Sequence, residues 1–357
     1  MLNKERMNRV LDQLDTEQML ITDPYAIFYL TGKMFEPGER FLGLLIRRGK
    51  EPVLYVNELF RFDEDLGLEK KYLKDTDNVA DVVSKDTDHE KALGVDKTLE
   101  ARFLLPLMQS GAASNYVNGS LAVDVTRAVK DEAEIALMRE ASHINDLAMA
   151  EFKKLPKAGM TELQIADQML DIYKKLGAEA YSFDPIVAFG VNAADPHHMP
   201  DETVLKEGDV VLFDVGCRYH RYCSDMTRTF FYKGEPNEVQ KKVYNLVRKA
   251  NETAEEYVKP GVRLCDIDSK ARDVITDGGY GPDFTHRLGH FIGIQDHEYG
   301  DVSQAFDNLT VAGNIFSIEP GIYNPKDMGC RIEDLILVTE NGHEVLNHYP
   351  HDIEIIE

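Results

Sequence analysis

A chain of 357 residues is too long for one ordinary domain and suits two. Its 40 basic and 63 acidic residues give a formal charge of −23, which argues against phosphate backbones and anionic membranes as partners. Hydrophobic residues make up 43%, enough at this length for a large core without staples.

The four cysteines, Cys217, Cys223, Cys265 and Cys330, form no Cys-x-x-Cys pair and read as reduced thiols. Residues 1–20 contain no signal-peptide core, because charges interrupt the apolar residues throughout. No stretch approaches the ~20 apolar residues of a membrane span. The expected location is the cytoplasm.

Leu2, Met7, Val10, Leu11 and Leu14 have the spacing of an amphipathic helix. A strand-like run follows in QMLI, and Asp23-Pro24 marks a turn. FLGLLIRRG and PVLYVN read as strands, while residues 85–118 are mixed. These elements suggest a small α/β domain over residues 1–125.

Residues 130–155 carry a helical pattern in which Ile135, Met138, Ala141 and Ser142 share a face. Leu147 and Phe152 continue its apolar positions. The second domain is therefore assigned to residues 126–357. It contains a weak repeat: residues 157–183 resemble residues 259–284 at an offset of 102. Gly159 matches Gly261, Ile165 matches Ile267, Ile172 matches Val274 and Gly177 matches Gly279. Thr161 and Gln164 form a capping box that starts a helix in the first copy. Two α+β halves related by a pseudo-two-fold would leave a cleft between them.

Two strand-like runs lie within residues 209–232, around Arg218 to Arg221. A turn centred between Tyr219 and His220 would set Asp214 directly opposite Asp225. Carboxylates so placed are ~5 Å apart at Cβ. They repel unless one is protonated or a cation lies between them. A coincidental register or a solvent-facing pair is the alternative. Residues 285–298 hold His286, His290 and His297, with Gly289 and Gly293 suggesting close backbone approach. Glu319 follows an apolar run and precedes Pro-Gly, and Glu333 enters a run of Ile332, Leu335 and Leu337. A carboxylate in such a run needs a cation or hydrogen bonds. Pairing of Glu333 with Arg331 at a sheet edge is the plainer possibility.

Asp214, Asp225, His290, Glu319 and Glu333 together offer four carboxylates and one imidazole. That set fits two divalent cations better than one. Its oxygen-rich chemistry suits manganese, with cobalt, iron or zinc as alternatives. Paired cations activate water and polarise a carbonyl.

The pieces NAADPHHMP, DVGCRYHRYCSDMTRT, HRLGHFIGIQDHE, IEPGIY and RIEDLILVTENG span residues 192–342. In this order the chain resembles the pita-bread metallopeptidases, in particular their creatinase/prolidase branch. The resemblance implies an α+β pita-bread catalytic domain after a smaller creatinase-type α/β domain. It makes Asp214, Asp225, His290, Glu319 and Glu333 metal ligands, with Asp225 and Glu333 bridging. It places His197, His286 and His297 near substrate, His297 at the scissile carbonyl. It makes Arg331 a residue that orients the ligands, and Arg287 a reader of a dipeptide carboxylate. Many relatives have glycine where this chain has Phe291, so a narrowed or altered pocket is expected there. The implied activity is hydrolysis of Xaa-Pro dipeptides by a homodimer, with Glu319 shuttling the proton. An aminopeptidase P acting on longer peptides is the nearest alternative. A metal-free peptide-binding or protein-binding module of the same fold is the alternative from another class, and an amidinohydrolase the third.

Overall fold

The computed structural model describes residues 1–357, which form two compact units, Met1–Arg127 and Ala128–Glu357. The first unit is built on a six-stranded mixed sheet with chain order 4-3-2-1-5-6. The helix Lys4–Gln13 starts where Asn3 accepts a hydrogen bond from Arg6 N at 3.0 Å. It buries Val10 and Leu11. Asp23-Pro24 does not make a free turn. Asp23 caps the helix Pro24–Thr31 and Pro24 occupies its first turn, where a missing N–H costs nothing. The mixed stretch 85–118 resolves into the strand Ala92–Val95, the helix Ala101–Gln109 and the strand Asn115–Asn118. Pro106 lies inside that helix, which blurred its pattern.

The second unit opens with the helix Glu132–Phe152, started by a capping box of Asp131 and Glu134. Ile135, Met138, Ala141, Ser142 and Phe152 are buried along it. Leu147 is 43% exposed, because Ile144 and Ala148 take the inward positions of that turn. The repeat becomes visible as two helices, Glu162–Leu176 and Leu264–Asp277. Gly159 and Gly261 precede them at φ 84° and 83°; Gly177 and Gly279 follow at φ 103° and 92°. These left-handed positions suit glycine. The first helix packs on Glu132–Phe152, the second on Glu238–Tyr257.

A four-stranded sheet carries the strands Ile186–Phe189, Val210–Val215 and Met226–Tyr232, with Ile355–Ile356 at its edge. A five-stranded sheet carries Glu298–Val302, Gly289–Phe291, Ile315–Ile318, Asp334–Val338 and His343–Val345 in that order. Apolar clusters around Phe213, Phe230, Tyr173 and Phe152, and around Phe316, Ile336, Tyr244 and Ile267, fill the spaces between helices and sheets.

The hairpin register differs from the expected one. His220 and Arg221, at φ 47° and 73°, form the turn, and Tyr219 pairs with Tyr222. Asp214 therefore faces Thr227, and Asp225 sits just ahead of its strand. Two positive-φ residues match the twist of a two-residue hairpin, but neither is the glycine or asparagine that signals one. The partner shifts by an even number of residues, so both aspartates keep the same face.

Candidate metal centre

Each candidate ligand stands at or beside a strand of the two central sheets. Asp214 lies in Val210–Val215, and Asp225 precedes Met226–Tyr232. His290 is in Gly289–Phe291, Glu319 follows Ile315–Ile318, and Glu333 precedes Asp334–Val338. All five line one cleft of about 590 Å³, together with His197, His286, Arg287, His297 and Arg331. Gly289 allows the strands to meet: a Cβ there would stand 1.9 Å from Ser317 O. In the contact that results, His290 N donates to Ser317 Oγ at 3.0 Å, and Ser317 Oγ donates to Glu319 at 3.1 Å.

The donor atoms converge without neutralising one another. One atom each from Asp225, His290 and Glu333 lies within 4.8 Å of the others. His290 Nε2 is 3.5 Å from Asp225 Oδ2 and 3.6 Å from Glu319 Oε1. His290 Nδ1 faces Phe291 O at 3.2 Å, a contact that puts the proton on Nδ1 and leaves Nε2 as a free lone pair. Asp214 Oδ1 and Asp225 Oδ1 are buried with no hydrogen-bond partner. Burial, then the charge of Glu333, raises the Asp225 carboxyl well above its ordinary range. Burial, then Glu319, does the same to Glu333. Burial pushes Glu319 up to about 8, helped by Asp214. Burial holds His290 well below its ordinary value, so its ring is neutral. Crowded carboxylates, orphaned oxygens and a neutral imidazole lone pair are what divalent cations bind.

Arg331 braces this group. Its guanidinium donates to Asp214 Oδ2 at 2.5 Å, to Tyr323 Oη at 2.8 Å and to Thr227 Oγ1 at 3.1 Å. Thr227 Oγ1 in turn donates to Glu333 Oε2 at 2.7 Å. Arg331 thus holds Asp214 directly and Glu333 through one hydroxyl, and the edge pairing of Glu333 with Arg331 does not occur.

The three histidines occupy different situations. His297 is largely exposed at the cleft, its ring 4.0 Å from that of His290. His197 is exposed on the segment that follows Pro196. His286 has both nitrogens engaged, Nδ1 with Arg287 O and Nε2 with Tyr323 Oη, each at 2.7 Å. Arg287 lines the cleft and is paired with Asp301. Phe291 points the other way: it is buried against Phe316 and over Gly300, so it does not narrow the cleft. Adjacent strand residues face opposite sides, and His290 takes the cleft side.

Two further residues went unrecognised in the sequence. Asp296 lines the cleft, its carboxyl pushed up to about 7 by burial and Asp214, and its Oδ1 is also unpartnered. Tyr323 links Arg331 to His286. Both lie inside quoted motifs, but an acid beside His297 and a tyrosine in an apolar run gave no separate signal.

The model of the family described as Metallopeptidase family M24 matches residues 136–340. The chain belongs to this family. The Creatinase/Prolidase N-terminal domain matches residues 4–129. A protein of Staphylococcus epidermidis named an uncharacterized peptidase is 40% identical, covering 97% of this chain and 98% of its own. The prolidase from Pyrococcus horikoshii has a TM-score of 0.88 at 31% identity, covering 99% of this chain and all of that one. The X-Pro aminopeptidase from Thermotoga maritima has a TM-score of 0.86 at 29% identity, covering 98% of this chain and 100% of that one. The fold is thus the α+β pita-bread arrangement, following a creatinase-type N-terminal unit in the chain. No helix of this M24 metallopeptidase is long and apolar enough to cross a membrane.

Cation binding by this M24 centre is expected to release protons. The metal-free Glu319 carboxyl, at about 8 against an ordinary 4.5, is mostly protonated at pH 7. A carboxyl raised by folding supports the metal-free fold at low pH and costs stability as pH rises from 4.5 through 8. Affinity for manganese should therefore climb between pH 6 and 8, by about tenfold per pH unit for each proton displaced. The melting temperature of stripped protein should fall over the same range. Calorimetric titration in buffers of different ionisation enthalpy reads the protons; flat affinity and no release would contradict the assignment.

Proposed function

We propose that this chain hydrolyses Xaa-Pro dipeptides with two divalent cations, most suitably manganese, held by Asp214, Asp225, His290, Glu319 and Glu333. The observation that carries the reading is the convergence of these five side chains, with unpartnered carboxylate oxygens, in one cleft. When bound, the cations supply an activated water and a positive field for the substrate carbonyl. Glu319 Oε would take the proton from the water and deliver it to the departing proline nitrogen, a role open to this carboxylate once cation binding has displaced its own proton. Although much of its ring is exposed, partial desolvation by the cleft walls and then the charge of Arg287 hold His297 below its ordinary value, and its neutral ring would donate a hydrogen bond to the oxyanion. Arg331 fixes Asp214 and, through Thr227, Glu333. Proline leaves a bond with no N–H on its C-terminal side, so a dedicated cleft is needed to recognise it.

Arg287 supports a dipeptide over longer chains. It lines the cleft, and the side chains of both it and Asp301 remain more than a third exposed, at 35% and 40%. A substrate carboxylate can compete for the guanidinium at such a wet site. Likeness to an X-Pro aminopeptidase favours a second reading, removal of the N-terminal residue from longer Xaa-Pro peptides. The test compares Leu-Pro with Leu-Pro-Pro. The proposal expects cleavage of the dipeptide alone, and Arg287→Ala should raise KM for Leu-Pro about tenfold or more with kcat little changed. Preference for the tripeptide moves the assignment to the aminopeptidase. A homodimer, implied by the resemblance, in the cytoplasm, expected from the sequence, completes the proposal, and sedimentation velocity reads the assembly.

A further inference from the structure

Glu162 opens the helix Glu162–Leu176, yet its side chain is 0% exposed. Its carboxylate accepts four hydrogen bonds from a single neighbouring segment. Oε1 accepts from Phe189 N at 2.7 Å and Asn192 Nδ2 at 3.0 Å. Oε2 accepts from His198 Nε2 at 2.6 Å and Asp201 N at 3.1 Å. The first two donors stand where the chain leaves the strand Ile186–Phe189, the last two where it returns. Between them lie Pro196, His197 and Met199, all of which line the cleft.

The internal repeat shows that the helix itself does not need this carboxylate. At the matching position of the second copy stands Leu264, first residue of Leu264–Asp277 and 1% exposed. A leucine suffices for burial at that site in the same local architecture. A buried carboxylate is costly unless hydrogen bonds replace its water, and here all four replacements come from one excursion.

We propose that Glu162 is the positioning residue of the His197 segment, clamping residues 189–201 at both ends and setting where His197 and Met199 stand in the cleft. Its catalytic consequence rests on the reading of the cleft given above; the clamp itself does not.

The experiment compares Glu162→Leu and Glu162→Gln, each with metal restored, by hydrogen exchange and kinetics. Glu162→Leu should speed exchange of amides 190–201 at least tenfold while leaving 264–277 unchanged. Glu162→Gln keeps the volume and half the acceptors and should give a smaller increase; it decides the matter if the leucine variant does not fold. On Leu-Pro, Glu162→Leu should lower kcat ten- to a hundredfold, and adding His197→Ala should lower it little further. Full additivity of the two substitutions, or unchanged exchange at 190–201, overturns the proposal. If the wild-type chain cleaves no Xaa-Pro peptide, the functional reading fails while exchange still decides the clamp.

Discussion

Asp225→Asn should lower hydrolysis at least about a thousandfold and, in the same protein, raise the stability of the metal-free form. Both effects have one cause. Asp225 is 4% exposed, its Oδ1 has no partner, and its other neighbours are acids or His290. In the stripped protein this charge is a liability, because burial and repulsion from Glu333 oppose ionisation. With cations bound it would become a ligand that a neutral amide replaces poorly. A gain of ~1 kcal/mol would move the melting point of a unit this size by about 2–4 °C. The check is a melting curve of stripped protein beside Leu-Pro kinetics of loaded protein. Retained activity contradicts the ligand role. Lost activity with a destabilised stripped form would point to misfolding instead.

The second large effect is expected at Arg331. Arg331→Lys should cost ten- to a hundredfold in activity and in cation affinity, about what loss of an orienting partner costs. The guanidinium reaches Asp214, Tyr323 and Thr227 at once. A lysine is a compact point charge and cannot span the three. Arg331→Met should be worse, because it leaves Asp214 without its partner at side-chain exposures of 3% and 12%. Breaking a buried pair this way costs on the order of 3–5 kcal/mol. Thermal melts and manganese titrations of both variants measure the two losses separately. A lysine variant with wild-type affinity and kcat would mean that Arg331 does not orient the ligands.

Local chemistry made much of this molecule legible. The box of Thr161 and Gln164 starts a helix where it says, because two orphan N–H groups find partners at once. The glycines of the repeat sit at matching left-handed positions, since only they adopt such φ values cheaply. Acids and a histidine in apolar runs stand out because they need a cation or hydrogen bonds there, and the structure brings these five side chains into one cleft. What escaped depended on long-range geometry or missing markers. His220 and Arg221 turn the hairpin without a glycine, so no residue type marks the turn, which lies one residue later than the pattern suggests. Asp23-Pro24 reads equally as a turn and as a helix start, and only the following residues decide it. The direction of Phe291 follows from the pairing of Gly289–Phe291 with its neighbours, which sequence adjacency to His290 hid. Nothing in the sequence sets Glu162 apart from any acid in a first helical turn; its four hydrogen-bond partners lie in a segment some thirty residues away.

The central claim is that two cations at these five residues make the chain a peptidase. Manganese titration of chelator-stripped protein, with Leu-Pro hydrolysis followed at each addition, tests it most directly. The account predicts two equivalents bound, activity appearing with them and vanishing on chelation, and neither in Asp225→Asn. Full Leu-Pro hydrolysis by the stripped protein, or two equivalents bound by Asp225→Asn as tightly as by the wild type, would contradict it.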